Sequence, residues 1–176
     1  MLPYALVGFL SAFLLFQVQP VIAKAILPWF GGSSSVWTTC MLFFQSVLLG
    51  GYVYAHWLNR ALPLRRQALV HSCVLAASLA ALPILPGEGW KPTGAEDPSL
   101  RILLALAATV GPPYFLLSAT SPLLQAWYSR THRGATPYRL FALSNAGSLL
   151  ALLTYPIVFE PLLSTRHQGV SWSVAY

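Results

Sequence analysis

Long apolar runs separated by short polar turns dominate the chain. A bilayer-crossing helix needs about 20 predominantly apolar residues. Five runs approach that length, over residues 4–27, 36–58, 67–85, 100–128 and 138–159. The fourth is interrupted by Pro112, Pro113 and Pro122, and the fifth stops at Pro161. The serines of Gly31-Gly32-Ser33-Ser34-Ser35 are suited to capping the second run. A polar loop opens at Pro86-Gly87-Glu88-Gly89 and lasts to about Ser99. No connection is long enough for a separate soluble domain. The expected fold is therefore all-α, a multi-pass transmembrane helical bundle of about five spans forming one domain over residues 1–176.

Pairs of positions 102 apart match in places. Leu14-Leu15 and Pro20 recur as Leu116-Leu117 and Pro122, and Ser46 and Leu48-Leu49 meet Ser148 and Leu150-Ala151. Helices one and two would then correspond to four and five. An odd number of helices per unit inverts the second copy, giving a 3+3 inverted repeat. On this displacement the partner of helix three begins near Gly169, and residues 170–176 read as the start of a sixth helix. The chain is thus expected to be a shortened copy of a six-helix module.

Charge supports the membrane reading and sets an orientation. Only 8% of residues are charged against 56% hydrophobic, whereas a soluble domain carries about 25% charged residues. The net charge of +6 comes from basic residues in short turns. Arg60, Arg65 and Arg66 follow helix two, and Arg130, Arg133 and Arg139 surround the turn after helix four. The positive-inside rule makes that side cytoplasmic, together with the N-terminus. The long loop holds Lys91 against Glu88, Glu96 and Asp97. Trp29, Trp37, Trp57, Trp90 and Trp127 fall near span ends, as interfacial tryptophans do. The basic residues are not interleaved with aromatics, so nucleic acid is not an expected partner. The N-terminus lacks a basic n-region and a cleavage site, and is read as a retained helix. Cys40 and Cys73 are placed toward opposite surfaces and are expected to pack as unpaired small apolar residues.

Polar residues within the apolar runs are the candidate chemistry. Helix one carries Gln17, Gln19 and Lys24, which either line a cavity beside Pro20 or serve as packing and snorkelling groups. Helix two carries Thr38, Gln45 and Tyr52 at sevenfold spacing, with His56 one turn on. This stripe either faces a pathway or holds the helix to its neighbours. Helix four has Ser118, Thr120, Ser121 and Gln125 around Pro122, suiting a broken-helix site or a hydrated kink. Asn145 in helix five is expected to anchor between helices, since an amide facing lipid is costly. Glu160 is either surface-exposed or paired with Lys24. Ser72, Ala76 and Ala80 form a small-residue ladder for close packing. Phosphate-binding glycine loops, metalloprotease motifs and hydrolase triads are missing from the sequence, so no catalytic residue, cofactor or metal is expected.

Several stretches are more specific. They include Gln19-Pro20-Val21-Ile22-Ala23-Lys24, Leu27-Pro28-Trp29-Phe30-Gly31-Gly32 and Val36-Trp37-Thr38-Thr39-Cys40-Met41-Leu42-Phe43-Phe44-Gln45. Further on stand Gly51-Tyr52, Tyr54-Ala55-His56, Leu117-Ser118-Ala119-Thr120-Ser121-Pro122-Leu123-Leu124-Gln125 and Tyr138-Arg139-Leu140 with Ala142-Leu143-Ser144-Asn145. Over nearly its whole length the chain resembles the membrane region of a bacterial family of fused major-facilitator/spermidine-synthase-like proteins. The aminopropyltransferase domain that follows in that family has no counterpart here. The resemblance implies a transporter-like module in a bacterial inner membrane, without polyamine synthesis. The leading functional expectation is a non-catalytic accessory or scaffold subunit, partnered by lipid and by other membrane subunits or a second copy. The alternative is a transporter-like module for a small polar solute such as a polyamine.

Overall fold

The computed structural model describes residues 1–92, 94, 98–132 and 138–176. Arg133, Glu96 and Asp97, which entered the charge argument, lie outside the described residues. The protein is all-α, with no strand among the described residues. Its helices are α1 (Leu2–Phe30), α2 (Ser34–Ala61), α3 (Leu64–Ser78), α4 (Pro98–Thr109), α5 (Gly111–Thr131), α6 (Tyr138–Thr154), α7 (Glu160–Leu162) and α8 (Thr165–Ala175).

Three helical runs are long and apolar enough to cross a membrane: α1, α2 and the continuous stretch Tyr138–Leu162. The pair α4 and α5 makes a fourth if it is taken as one span bent by 65°. Large side chains on the outside fit that reading. Leu49, Val53 and Ile157 on these runs are exposed, as side chains that meet lipid are.

The proline positions explain where the spans bend. Pro112 and Pro113 follow the break and begin α5. Neither can donate to the last carbonyls of α4, so the helix ends and restarts in a new direction. Pro122, by contrast, lies inside an unbroken α5. Of the three prolines expected to interrupt this run, Pro112 and Pro113 stand at the break, and the broken-helix alternative at Pro122 does not hold. Pro156 follows α6, where the backbone widens into a π-helical turn over Tyr155–Phe159 and continues through Pro161 into α7. The Tyr155 hydroxyl donates to the Pro20 carbonyl at 3.3 Å, tying this turn to α1.

The third expected span is shorter than its apolar run. Helix α3 has 15 residues and stops at Ser78, a length of about 22 Å against roughly 30 Å of hydrocarbon. The residues beyond it turn back onto α8. Ile84 is fully buried, and its N–H donates to Ser173 Oγ at 3.4 Å. The ladder of Ser72, Ala76 and Ala80 is exposed, so it does not pack within the chain. Gln67, His71 and Ser78 form the packed positions instead. Cys40 is buried as expected, whereas Cys73 is exposed, and both thiols are free.

Helix α1 is the centre of the bundle. Its most extensive interface is with α6, and α2 makes a similar one with α5. Leu14, Val18, Ile22 and Ile26 are buried at four-residue intervals, one helix face. Trp172 closes the core from α8, donating its indole N–H to the Leu14 carbonyl at 2.8 Å. The close helix approaches rest on glycines. A Cβ at Gly147 would lie 2.6 Å from the Phe9 carbonyl oxygen, and one at Gly51 would run into Ser118 Oγ and lie 2.9 Å from the Phe115 carbonyl oxygen.

Two glutamines clasp the ends of the preceding helices in the same way. Gln67 Nε2 donates to the carbonyls of Asn59 (3.3 Å) and Leu62 (2.6 Å). Gln168 Nε2 donates to those of Phe159 (3.1 Å) and Leu163 (2.8 Å). Gln67 satisfies C-terminal carbonyls that α2 leaves without intrahelical partners, while Gln168 satisfies that of Leu163 and shares that of Phe159 with the Leu163 N–H.

Candidate functional site

A cleft of about 350 Å³ opens between α1, α2, α5 and α6. Its polar lining includes Tyr52, Ser118, Ser121, Gln125, Asn145 and Ser148. Leu15, Phe16, Leu117 and Phe141 supply its apolar wall. Of the sequence candidates, the fold brings together Ser121, Gln125 and Asn145 here.

The others go elsewhere. Gln17 is buried and lines a separate cavity of about 260 Å³ toward α8, beside Gln168 and Trp172. Gln19 Nε2 donates to the Tyr114 hydroxyl at 3.1 Å. Lys24 Nζ pairs with Glu160 at 3.3 Å, so Gln17 and Lys24 share no cavity. Thr38 Oγ1 donates to the Ser34 carbonyl on its own helix. Gln45 is exposed on the outer face of α2.

The cleft contains an ordered line of hydrogen bonds. Gln125 Nε2 donates to Ser121 Oγ at 3.3 Å, Ser121 Oγ lies 3.0 Å from Ser144 Oγ, and Ser144 Oγ donates to the Leu140 carbonyl at 3.0 Å. Either hydroxyl can donate in the Ser121–Ser144 contact, since Ser144 Oγ also reaches the Leu140 and Gly8 carbonyls. Ser118 and Ser148 spend their protons on the carbonyls of Phe115 (2.6 Å) and Ser144 (3.1 Å). The serine oxygens therefore face the cleft as acceptors. The Asn145 side chain, exposed at the rim, has no hydrogen-bond partner among the described residues. It does not anchor helices within the chain.

The stripe on α2 behaves similarly. Thr38, Gln45, Tyr52 and His56 are all exposed. They do not hold α2 to its neighbours. Since α2 is of spanning length, this polar face and the cleft lie on a surface that would otherwise meet lipid.

Sequence reasoning missed a second polar cluster, between α2, α3 and α5. His71 Nε2 lies 3.2 Å from Thr120 Oγ1, whose own proton goes to the Leu116 carbonyl at 2.7 Å. The Trp127 indole N–H donates to Gln67 Oε1 at 2.8 Å. Tyr54 Oη, Asn59 Oδ1 and His71 Nδ1 are buried there without hydrogen-bond partners among the described residues. Its signal lay in the polar residues Gln67 and His71, one helical turn apart at the start of an apolar run.

Both ends of the bundle carry charge. At one end Arg130 Nη2 donates to the Asn59 carbonyl at 3.0 Å, joining the basic ends of α5 and α2. Tyr4 near the start of α1 packs edge-on against Tyr128 at the same end. At the other end are the Lys24–Glu160 pair and Lys91, which lies 5.4 Å above the Trp29 ring and pairs with Glu88. Side chains of Lys24 and Glu160 are 35% and 47% exposed, so the pair is screened. Lys24→Ala is expected to cost only ~0.2–1 kcal/mol, read as a small fall in the melting temperature of detergent-solubilised protein.

Among the described residues no group of three or more His, Cys, Asp or Glu side chains is placed to hold a metal. Comparison of the chain with family models, curated proteins and solved structures finds no match.

Proposed function

We propose that the protein is a non-catalytic, transporter-like membrane module whose polar side is covered by another membrane subunit or a second copy. Covering that side encloses the cleft between α2 and α6 as a compartment for a small polar solute. The observation that carries this reading is the exposure of Asn145 beside Ser121, Gln125 and Tyr52, on helices of spanning length. An amide and a phenol facing hydrocarbon are costly, and a protein partner or enclosed water removes that cost. This joins the two expectations from sequence: a subunit that packs in a larger assembly, and a module that handles solute.

The paired glutamine clasps support a 3+3 inverted repeat within this module. Leu62, Arg65 and Gln67 align with Leu163, Arg166 and Gln168 at a displacement of 101. The helices they begin, α3 and α8, start 101 residues apart. Exchanging α1 with α5 and α2 with α6 also turns the α1–α6 interface into the α5–α2 interface. Each unit then contributes two spans and a third helix clasped to the second. In this arrangement α3 and α8 are the third helices of the two units, and the α4–α5 pair is one bent span. The basic end, with the N-terminus, faces the cytoplasm of a bacterial inner membrane, as the positive-inside rule and the family resemblance both favour.

Site-directed cross-linking in native membranes tests the assembly. With Cys40 and Cys73 replaced, cysteines at Gln45 or Asn145 are expected to capture a stoichiometric neighbour, while one at Val174 is not. A chain that remains uncross-linked at both polar positions and monomeric in mild detergent would remove this reading. Labelling of a cysteine beside Arg66 from outside intact cells would overturn the orientation.

A further inference from the structure

Resting on that reading of the cleft, we infer that its solute is uncharged and rich in hydroxyls, a polyol-like molecule and not a polyamine. All four carboxylates of the sequence, Glu88, Glu96, Asp97 and Glu160, lie outside α1, α2, α5 and α6. Nothing in the cleft can neutralise an ammonium group, and a cation taken from water without a counter-charge is strongly disfavoured. The lining also holds no Lys, Arg or His, so an anion is no better served.

The hydrogen-bond directions narrow the class further. Ser118 and Ser148 have committed their protons to backbone carbonyls and offer only acceptor lone pairs. Gln125 spends one N–H on Ser121 and retains another, together with its carbonyl oxygen. Asn145 and Tyr52 add both donors and acceptors. The lining therefore offers both acceptors and donors in one small space. A hydroxyl both donates and accepts, so a chain of hydroxyls satisfies this lining group by group. An ammonium group only donates, and would leave the donors of the lining, among them the second Gln125 N–H, without a partner. Phe16 and Phe141 also line the cleft and offer apolar surface to the C–H groups of such a molecule. A cleft of about 350 Å³ lies at the small end of ligand pockets.

The test uses the full chain in native membranes, where its covering neighbour is retained, with Cys40→Ala, Cys73→Ser and the near-isosteric Ser148→Cys. A charged, membrane-impermeant methanethiosulfonate is the labelling reagent, and xylitol, putrescine and glutarate are the probes, at equal concentrations. The Ser148→Cys thiol is expected to label, xylitol is expected to slow labelling several-fold, and putrescine and glutarate are expected to leave it unchanged. Adding Asn145→Leu is expected to abolish protection by xylitol while labelling persists. Labelling slowed by putrescine as much as by xylitol, or by none of the three, overturns the polyol assignment and leaves the solute cleft standing. A thiol that never labels, in a protein that still elutes as a single folded species, overturns the cleft reading beneath it.

Discussion

Gly147→Leu is expected to be among the most damaging single substitutions in the protein. Even a Cβ at this position would stand 2.6 Å from the Phe9 carbonyl oxygen and 3.3 Å from its ring. The obstructing atom belongs to the backbone of α1, so it cannot swing aside as a side-chain tip would. Helices α1 and α6 must separate, and theirs is the most extensive helix interface in the fold. Overpacking of this kind costs about 1–3 kcal/mol and sometimes more. The upper end is expected here, because Ser144 approaches the Gly8 carbonyl across the same contact at 3.5 Å and is displaced with it. Thermal unfolding in detergent should show a large fall in midpoint for Gly147→Leu. Gly87→Leu, with no heavy atom within 4 Å of its Cβ, should stay within about 0.5 kcal/mol of the parent protein. Equal effects at the two positions would mean that α1 and α6 do not meet as described.

The spans were readable where apolar length decided the outcome. Helices α1, α2 and α6 with its extension match their runs closely, because about 20 apolar residues leave few alternatives to a helix, even with a single proline inside as at Pro20. The third run failed that test for an identifiable reason. Residues 79–85 are as apolar as those before them, and hydropathy does not distinguish a continuing helix from a buried return. Pro83 disfavours helical geometry at Leu82, and Ile84 and Leu85 gain contacts with α8 that a straight continuation would forgo. In the fourth run the adjacent prolines at 112 and 113, which the sequence marked, proved stronger than Pro122. A single proline removes one helical donor, whereas the pair removes two in succession.

The site was legible as composition but not as geometry. Ser121, Gln125 and Asn145 stood out as polar residues in apolar runs, and they do meet. Gln17 and Lys24 share a helical face at seven-residue spacing, yet their neighbours differ: α8 packs over Gln17, and Glu160 reaches Lys24 from α7. Helical spacing says which residues are aligned and nothing about which partner covers each. The α2 stripe illustrates the same limit, since its periodicity was visible while its outward direction depended on α5 taking the opposite face of α2.

Gln67→Leu is the second substitution expected to be severe, and it also tests the internal correspondence. The change removes the donor to the Asn59 and Leu62 carbonyls and the acceptor for the Trp127 indole. Gln67 is fully buried, so water does not readily replace what is lost. Each buried polar group left without a partner costs about 1–3 kcal/mol, and Arg130 still reaches the Asn59 carbonyl. Two groups, the Leu62 carbonyl and the Trp127 N–H, remain stranded, so a loss of roughly 3 kcal/mol is expected. Trp127→Phe in the Gln67→Leu background should recover part of it, because the stranded indole donor is removed. Gln168→Leu breaks the corresponding clasp at the Phe159 and Leu163 carbonyls. Its Oε1 accepts no hydrogen bond among the described residues, so only the donor half is lost and the cost should be smaller. The ordering Gln67→Leu, then Gln168→Leu, then Lys24→Ala follows from the count of groups left unsatisfied. If Gln168→Leu were as harmless as Lys24→Ala, the second clasp would not be holding α8 to the end of α7. The structural case for two corresponding units would then rest on helix pairing alone.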